Sequence, residues 1–304
     1  MGRLSRRTLR TAAAVLCLVP VSACGLLGTA DGDESQDYQQ LVIAMPDWTG
    51  GQATAAMAAH VLEYEFGLTV TLWDCGQETA WDKLGTGGVH AIMEDWGALP
   101  DRRQLYVEEK KNVTDAGALG ITGHAGWYVT GDYADAHPDV LRAENLDTFA
   151  SDLGGELLHA DPYYATWDEE IIDDLGLDYR PVAVGSEDAL AERLVEADRR
   201  GEPLLTYLWQ PHWLNTEVDL AEVEVPGDRY PDIELRKYLN AYFSEHGGAA
   251  AEFLRTFSWT AADQNAVARL IAEDGYTPRA AAERWATNHP DRVAEWLPEE
   301  AEEE

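Results

Sequence analysis

The chain predicts an α/β fold in two lobes with a ligand cleft between them. Short apolar or β-branched runs alternate with helical patterns along the first two thirds, the arrangement of parallel-strand α/β folds. The last part turns wholly helical, as if the chain leaves one lobe, builds a second and returns. Two segments also share one layout of helix, glycine, short strand, Trp and Pro: residues 90–100 (HAIMEDWGALP) and 204–214 (LLTYLWQPHWL). Each lobe would then bring a Trp to a shared cleft.

The 304 residues suffice for two modest cores. A formal charge of −34 argues against nucleic acid as a partner, since phosphate contacts need Lys and Arg. Such acidity reads as a solvated surface, or in part as a field that attracts a cationic ligand. Residues 1–23 read as an export signal: Arg3, Arg6, Arg7 and Arg10 precede a short apolar run at 12–19. Val21-Ser22-Ala23-Cys24 resembles the bacterial lipobox, with Cys24 as the lipidated first mature residue; the alternative is a chance Cys after an ordinary signal. Loss of the four Arg, with no acids among residues 1–23, takes the charge from −34 to −38. Residues 24–40 are small, polar and acidic, and read as a flexible tether. No other apolar run is long enough to cross a bilayer, so a lipid anchor would be the sole membrane contact. Cys75 remains as a lone thiol, expected to be buried and structural.

The elements follow in order. Residues 41–45 (LVIAM) form the first strand and enter Pro46-Asp47-Trp48-Thr49-Gly50-Gly51, followed by a helix. The first N–H groups of a helix are free, so this turn is a candidate anion site; it lacks the Lys and spacing of a P-loop. Trp48 stands where open α/β sheets place ligands, or else caps the sheet edge. Residues 68–73 are a strand, 79–84 a helix ending at Gly85, and 91–96 a strand. Residues 119–122 and 126–130 read as extended pieces separated by Gly123-His124-Ala125, with a crossover or hinge at 129–132. Residues 146–153 read as a short helix, 156–159 as a strand, 168–175 as a helix and 179–184 as a strand. Ser186 caps a helix over 187–200, which Gly201 stops. The strand at 203–209 ends at Pro211, because proline has no N–H for a ladder. Helical patterns then cover 233–245, 249–257, 261–273 and 278–288, with a final turn at 292–297 and an acidic tail at 299–304.

No catalytic motif asks for an enzyme. There is no G-x-S-x-G elbow, no H-E-x-x-H and no dinucleotide fingerprint. The eight His are scattered away from metal-ligand spacing, so neither metal nor cofactor is expected. The positive signal is aromatic: Trp48, Trp96, Tyr164 and Trp209 each fall after a strand beside a turn, and Trp127 and Trp167 lie near such positions. Converging rings make a cage for a quaternary ammonium, which donates no hydrogen bonds and is held by ring quadrupoles. The alternative is that these rings pack cores.

The lipobox, VIAMPDWTGGQATA, MEDWGALP, GHAGWYV, GSEDALAERLVEADRRGEPLLTYLWQPHWL and AAAERWATNHPDRVAEWL fall in an order that resembles the substrate-binding proteins of glycine betaine, proline betaine and choline ABC importers. The resemblance spans about residues 41–297. It implies a two-lobe periplasmic-binding-protein type II fold with a hinged ligand cleft: lobe 1 at 41–130 with 228–298, lobe 2 at 131–227. It implies cage roles for Trp96 and Trp209, with Tyr164 of Pro162-Tyr163-Tyr164-Ala165 where the family has a Trp. Trp48 and Trp127 complete the candidate rings. Some relatives carry a His four residues after the first cage Trp, and Pro100 stands there instead. A ligand carboxylate would therefore fall to the amides of Thr49, Gly50 and Gly51, or to His212. Asp47, Asp95 and Asp161 beside the cage would favour a ligand without a carboxylate if they face it. The implied ligand is a quaternary-ammonium osmolyte, glycine betaine first. Choline or another zwitterion or amino acid is the alternative, and a lipoprotein hydrolase is the rival from another class. The implied partners are ABC permease and ATPase subunits.

Overall fold

Apolar runs joined by helical crossovers build the first sheet of a computed structural model, which describes residues 38–161, 164 and 167–297. The expected signal peptide, Cys24, Pro162, Tyr163, Ala165 and the tail at 299–304 lie outside the described residues. β1 (Gln40–Met45) runs parallel to β2 (Thr69–Asp74) and β3 (Ala91–Asp95), through α1 (Thr49–Tyr64) and α2 (Gln77–Thr86). All of β3 is buried, as a strand covered on both faces must be. Three residues expected in the tether belong to the body instead. Gln40 opens β1, and the Tyr38 ring packs edge-on against His90 and Phe243.

After α3 (Pro100–Arg103), β4 (Val113–Thr130) leads through α4 (Gly131–Ala136) and α5 (Ala150–Leu153) to β5 (Glu156–His159). α6 (Asp168–Leu175), β6 (Arg180–Ala183), α7 (Glu187–Arg200) and β7 (Leu205–Gln210) complete a second sheet, with β5 parallel to β6 and β7. Ser186 caps α7 by accepting the Ala189 N–H, as its sequence position predicts. β8 (Leu220–Val223) and β9 (Ile233–Asn240) follow, and the chain closes with α8 (Ala241–His246), α9 (Gly248–Thr256), α10 (Ala261–Ala272), α11 (Pro278–Asn288) and α12 (Pro290–Ala294). α10 and α11 pack on α1. Half-buried Cys75 is free, and burial pushes its thiol up to about 11.

Other expectations fail where the sheets join. The pieces at 119–122 and 126–130 are one strand: β4 pairs with β9 through Gly123 and with β7 from His124 onward. Its glycines make bulges rather than a break, with Gly117 and Gly120 at positive φ beside two register shifts. The change of sheet therefore falls at Gly123–His124, while Thr130–Gly131 is where β4 turns into α4. Residues 233–240, expected as helix, form β9. Leu235, Lys237 and Leu239 alternate on a buried face, and a lysine in the middle hides the period of two. Lys237 is held there because its Nζ donates to the carbonyls of Arg255 and Phe257; burial lowers its pKa to about 8. The joined sheets are mixed rather than mostly parallel, since β4 runs antiparallel to β7, β8 and β9, and β9 antiparallel to β3.

His124 sits where the chain changes sheet, with Nδ1 2.9 Å from Asp232 Oδ1 and Nε2 2.8 Å from Glu222 Oε1. Burial lowers its pKa, but the bonds and charges of Glu222 and Asp232 outweigh burial and raise it above the ordinary imidazole value. A raised folded value means that this clasp stabilises fully below the unfolded imidazole pKa and is lost as pH rises through the folded one. The gap in urea midpoint between wild type and His124→Gln should therefore be larger near pH ~6 than near pH ~8. Equal gaps would mean that the ring is uncharged in the fold.

Candidate functional site

One buried carboxylate organises one wall of the candidate site. Trp48 ends the turn after β1 and is the N-cap residue of α1; Trp96 directly follows β3. Glu94, the fourth residue of β3, is buried and accepts both indole N–H groups on Oε1, at 2.7 Å from Trp48 and 2.9 Å from Trp96. Its Oε2 accepts from Thr54 Oγ1 at 2.9 Å and Gln264 Nε2 at 2.6 Å, which ties α1 and α10 to the same group. Burial pushes this carboxyl up, further than the four donors pull it back. Two glycines make room for the rings. A Cβ on Gly51 would lie 2.7 Å from Trp48 Nε1, and one on Gly123 would lie 2.4 Å from Trp96 Cζ3.

Trp48, Trp96, Tyr164 and Trp209 line one cavity of about 500 Å³. Tyr164 stands edge-on to Trp48 at 6.5 Å and to Trp209 at 5.6 Å, so the rings arrive from both sheets. Trp167, Tyr207 and Tyr230 also line it. Tyr230 is a ring that sequence reading misses, because it lies in the irregular stretch before β9 rather than after a strand. A Glu missed in the same way is Glu94, hidden among many acids; its place immediately before Asp95-Trp96 was the available signal.

Several expected site residues are turned to other tasks. Trp127 is 1% exposed in the core beneath the second sheet, and its indole donates to Asp168 Oδ1 at 2.6 Å. Asp95 accepts from Trp81 Nε1 at 2.9 Å and from the Gly97 N–H at 2.8 Å. The Gly50 carbonyl accepts from Thr54 Oγ1 and Gln264 Nε2, bonds that leave its candidate N–H uninvolved. The Thr49 N–H is not free: it donates to Glu187 Oε2 at 2.7 Å. His212 packs against Trp209 at 4.9 Å and is held by Glu187, its Nε2 2.9 Å from Oε1 in a close but poorly aligned pair. Asp47, Asp161 and Glu187 all act on Tyr164; burial and then these charges raise its phenol well above the ordinary range. Arg229, the cation among the described lining residues, pairs with Glu170 and Asp174.

A family model described as the substrate binding domain of the ABC-type glycine betaine transport system matches residues 39–288. The chain belongs to that family. Its members deliver substrates to transporters and are not enzymes. The glycine betaine/carnitine transport binding protein of Listeria monocytogenes is 33% identical over 109 residues, a match that spans 36% of this chain and 36% of that relative. The trimethylamine N-oxide-binding protein of Pelagibacter ubique is 25% identical over 93% of this chain and 96% of its own length. The fold is that of lactococcal OpuAC in its closed conformation complexed with glycine betaine: TM-score 0.73 at 21% identity, covering 86% of this chain and all of that one. The two-lobe periplasmic-binding architecture expected from sequence is thus the observed one.

Replacement of Glu94 by Gln puts an N–H₂ group where four donors converge. The variant should lose about 2–4 kcal/mol in urea unfolding, with red-shifted tryptophan emission in its native state. An unchanged midpoint and spectrum would show that Glu94 does not position the two rings.

Proposed function

We propose that this protein is the receptor of an ABC importer for a quaternary-ammonium compound of the glycine betaine and choline class, gripped in an aromatic cage between the lobes. The observation that carries this reading is the convergence of Trp48, Trp96, Tyr164 and Trp209 on one cavity. Ring quadrupoles attract a methylated ammonium that cannot use hydrogen-bond acceptors, at roughly 0.5–2 kcal/mol per desolvated face. With burial of the methyl groups, four faces reach the range of about −8 kcal/mol that micromolar binding requires.

β4 and the stretch between β8 and β9 connect the halves, and closure would bend them near Gly123–His124 and at the entry to β9. Ligand would favour the closed state only through contacts made with both halves at once. As the binding component of an ABC importer the chain works outside the cytoplasmic membrane, with permease and ATPase subunits as partners. No described helix is long and apolar enough to cross a membrane. A lipidated Cys24 would hold the body at the outer face of that membrane, with the polar stretch behind it as a leash.

Calorimetry with glycine betaine, choline and trimethylamine N-oxide tests the cage. At least one should bind saturably, and Trp96→Ala and Trp209→Ala should each weaken it by more than about tenfold, or ~1.4 kcal/mol. Full affinity in both folded variants would remove the cage from the mechanism. Incorporation of labelled fatty acid into wild type but not Cys24→Ala tests the anchor; labelling of neither rejects it.

A further inference from the structure

The first amide of α1, the natural seat for a ligand carboxylate, is filled by the protein's own acid. Glu187 opens α7, which links β6 to β7 in the second sheet, whereas α1 follows β1 in the first. Its contact with the Thr49 N–H therefore spans the two halves beside the cage, between Trp48 in sequence and Trp209 through His212. His212 fixes the other oxygen of Glu187. The His212 Nδ1 accepts the Leu214 N–H at 3.1 Å, which puts the ring proton on Nε2, toward Glu187. Glu187 is buried, and burial alone would raise its pKa. The His212 ring beside one oxygen and the Thr49 N–H on the other outweigh burial and hold the carboxyl below the usual range.

We infer that Glu187 is a specificity-determining residue: by capping α1 with an internal carboxylate it excludes ligands that carry one and favours trimethylammonium compounds with an uncharged far end, such as choline. This rests on the cage reading above. The surroundings act in the same direction. Glu187, Asp47 and Asp161 stand behind the cavity lining and act by charge on Tyr164, which lines it, while Arg229 on the cavity wall is engaged by Glu170 and Asp174. A like charge brought beside a buried acid is opposed twice, by repulsion and by the loss of its own water. An uncharged hydroxyl at the far end of the ligand meets no such repulsion.

Calorimetric titration of the purified full chain with choline, glycine betaine and tetramethylammonium tests this. Tetramethylammonium carries the cationic head alone and so reports on the cage itself. Wild type should bind choline at least about tenfold more tightly than glycine betaine. Glu187→Ala, which frees the Thr49 amide, should narrow that ratio by raising betaine affinity. Glu187→Gln, which keeps an oxygen for Thr49 but removes the charge, should narrow it less and serves if the Ala variant does not fold. Betaine preferred by wild type, or an unchanged ratio in the folded variants, with tetramethylammonium still bound, would overturn the role of Glu187 alone. No binding of any of the three by folded wild type would overturn the cage and this inference together.

Discussion

The arrangement depends on the carboxylate of Glu94. An indole N–H is a donor with no acceptor capacity, and burying it unpaired costs free energy. Glu94 resolves that for two rings at once, and so couples the turn after β1 to the end of β3. Because its second oxygen is held by Thr54 and Gln264, the wall cannot shift without disturbing α1 and α10. Gly51 and Gly123 supply the complementary absence of bulk. Packing and polarity thus select one ring geometry, which preorganises the surface a ligand would meet.

The same solution recurs. Asp95 takes the Trp81 indole and Asp168 the Trp127 indole, each with a bond of 2.9 Å or less. A chain rich in both acids and Trp pairs part of one surplus with the other. It follows that proximity of an acid to a Trp in sequence says little about whether that acid faces the ligand. Of the acids beside the cage motifs, Asp95 faces inward to the fold, whereas Asp47 is exposed and influences Tyr164 through its charge.

The join between the halves obeys a different constraint. β4 is shared by both sheets, and β9 lies beside its first part with Gly123 opposite Ile233. β4 passes from one sheet to the other at Gly123–His124, beside the His124 clasp. The Glu187–Thr49 contact is also made between an element of the first sheet's half and one of the second's.

Local pattern by itself determined the alternating strands and helices, the bounds of α6, α7, α11 and β5, and the positions of Trp48, Trp96 and Tyr164 after strands, with Trp209 falling inside the end of β7. These rest on periodicity, caps and stops within a few residues, which a linear reading can see. Tertiary structure decided the rest. It made a strand of 233–240, because the carbonyls of Arg255 and Phe257 satisfy a buried lysine that breaks the apolar alternation. It turned Trp127 into core, because Asp168 meets its N–H from another element. It gave the Thr49 amide to Glu187, which is distant in sequence. In each case a polar group's partner lies far along the chain, and only folding brings the two within hydrogen-bonding distance.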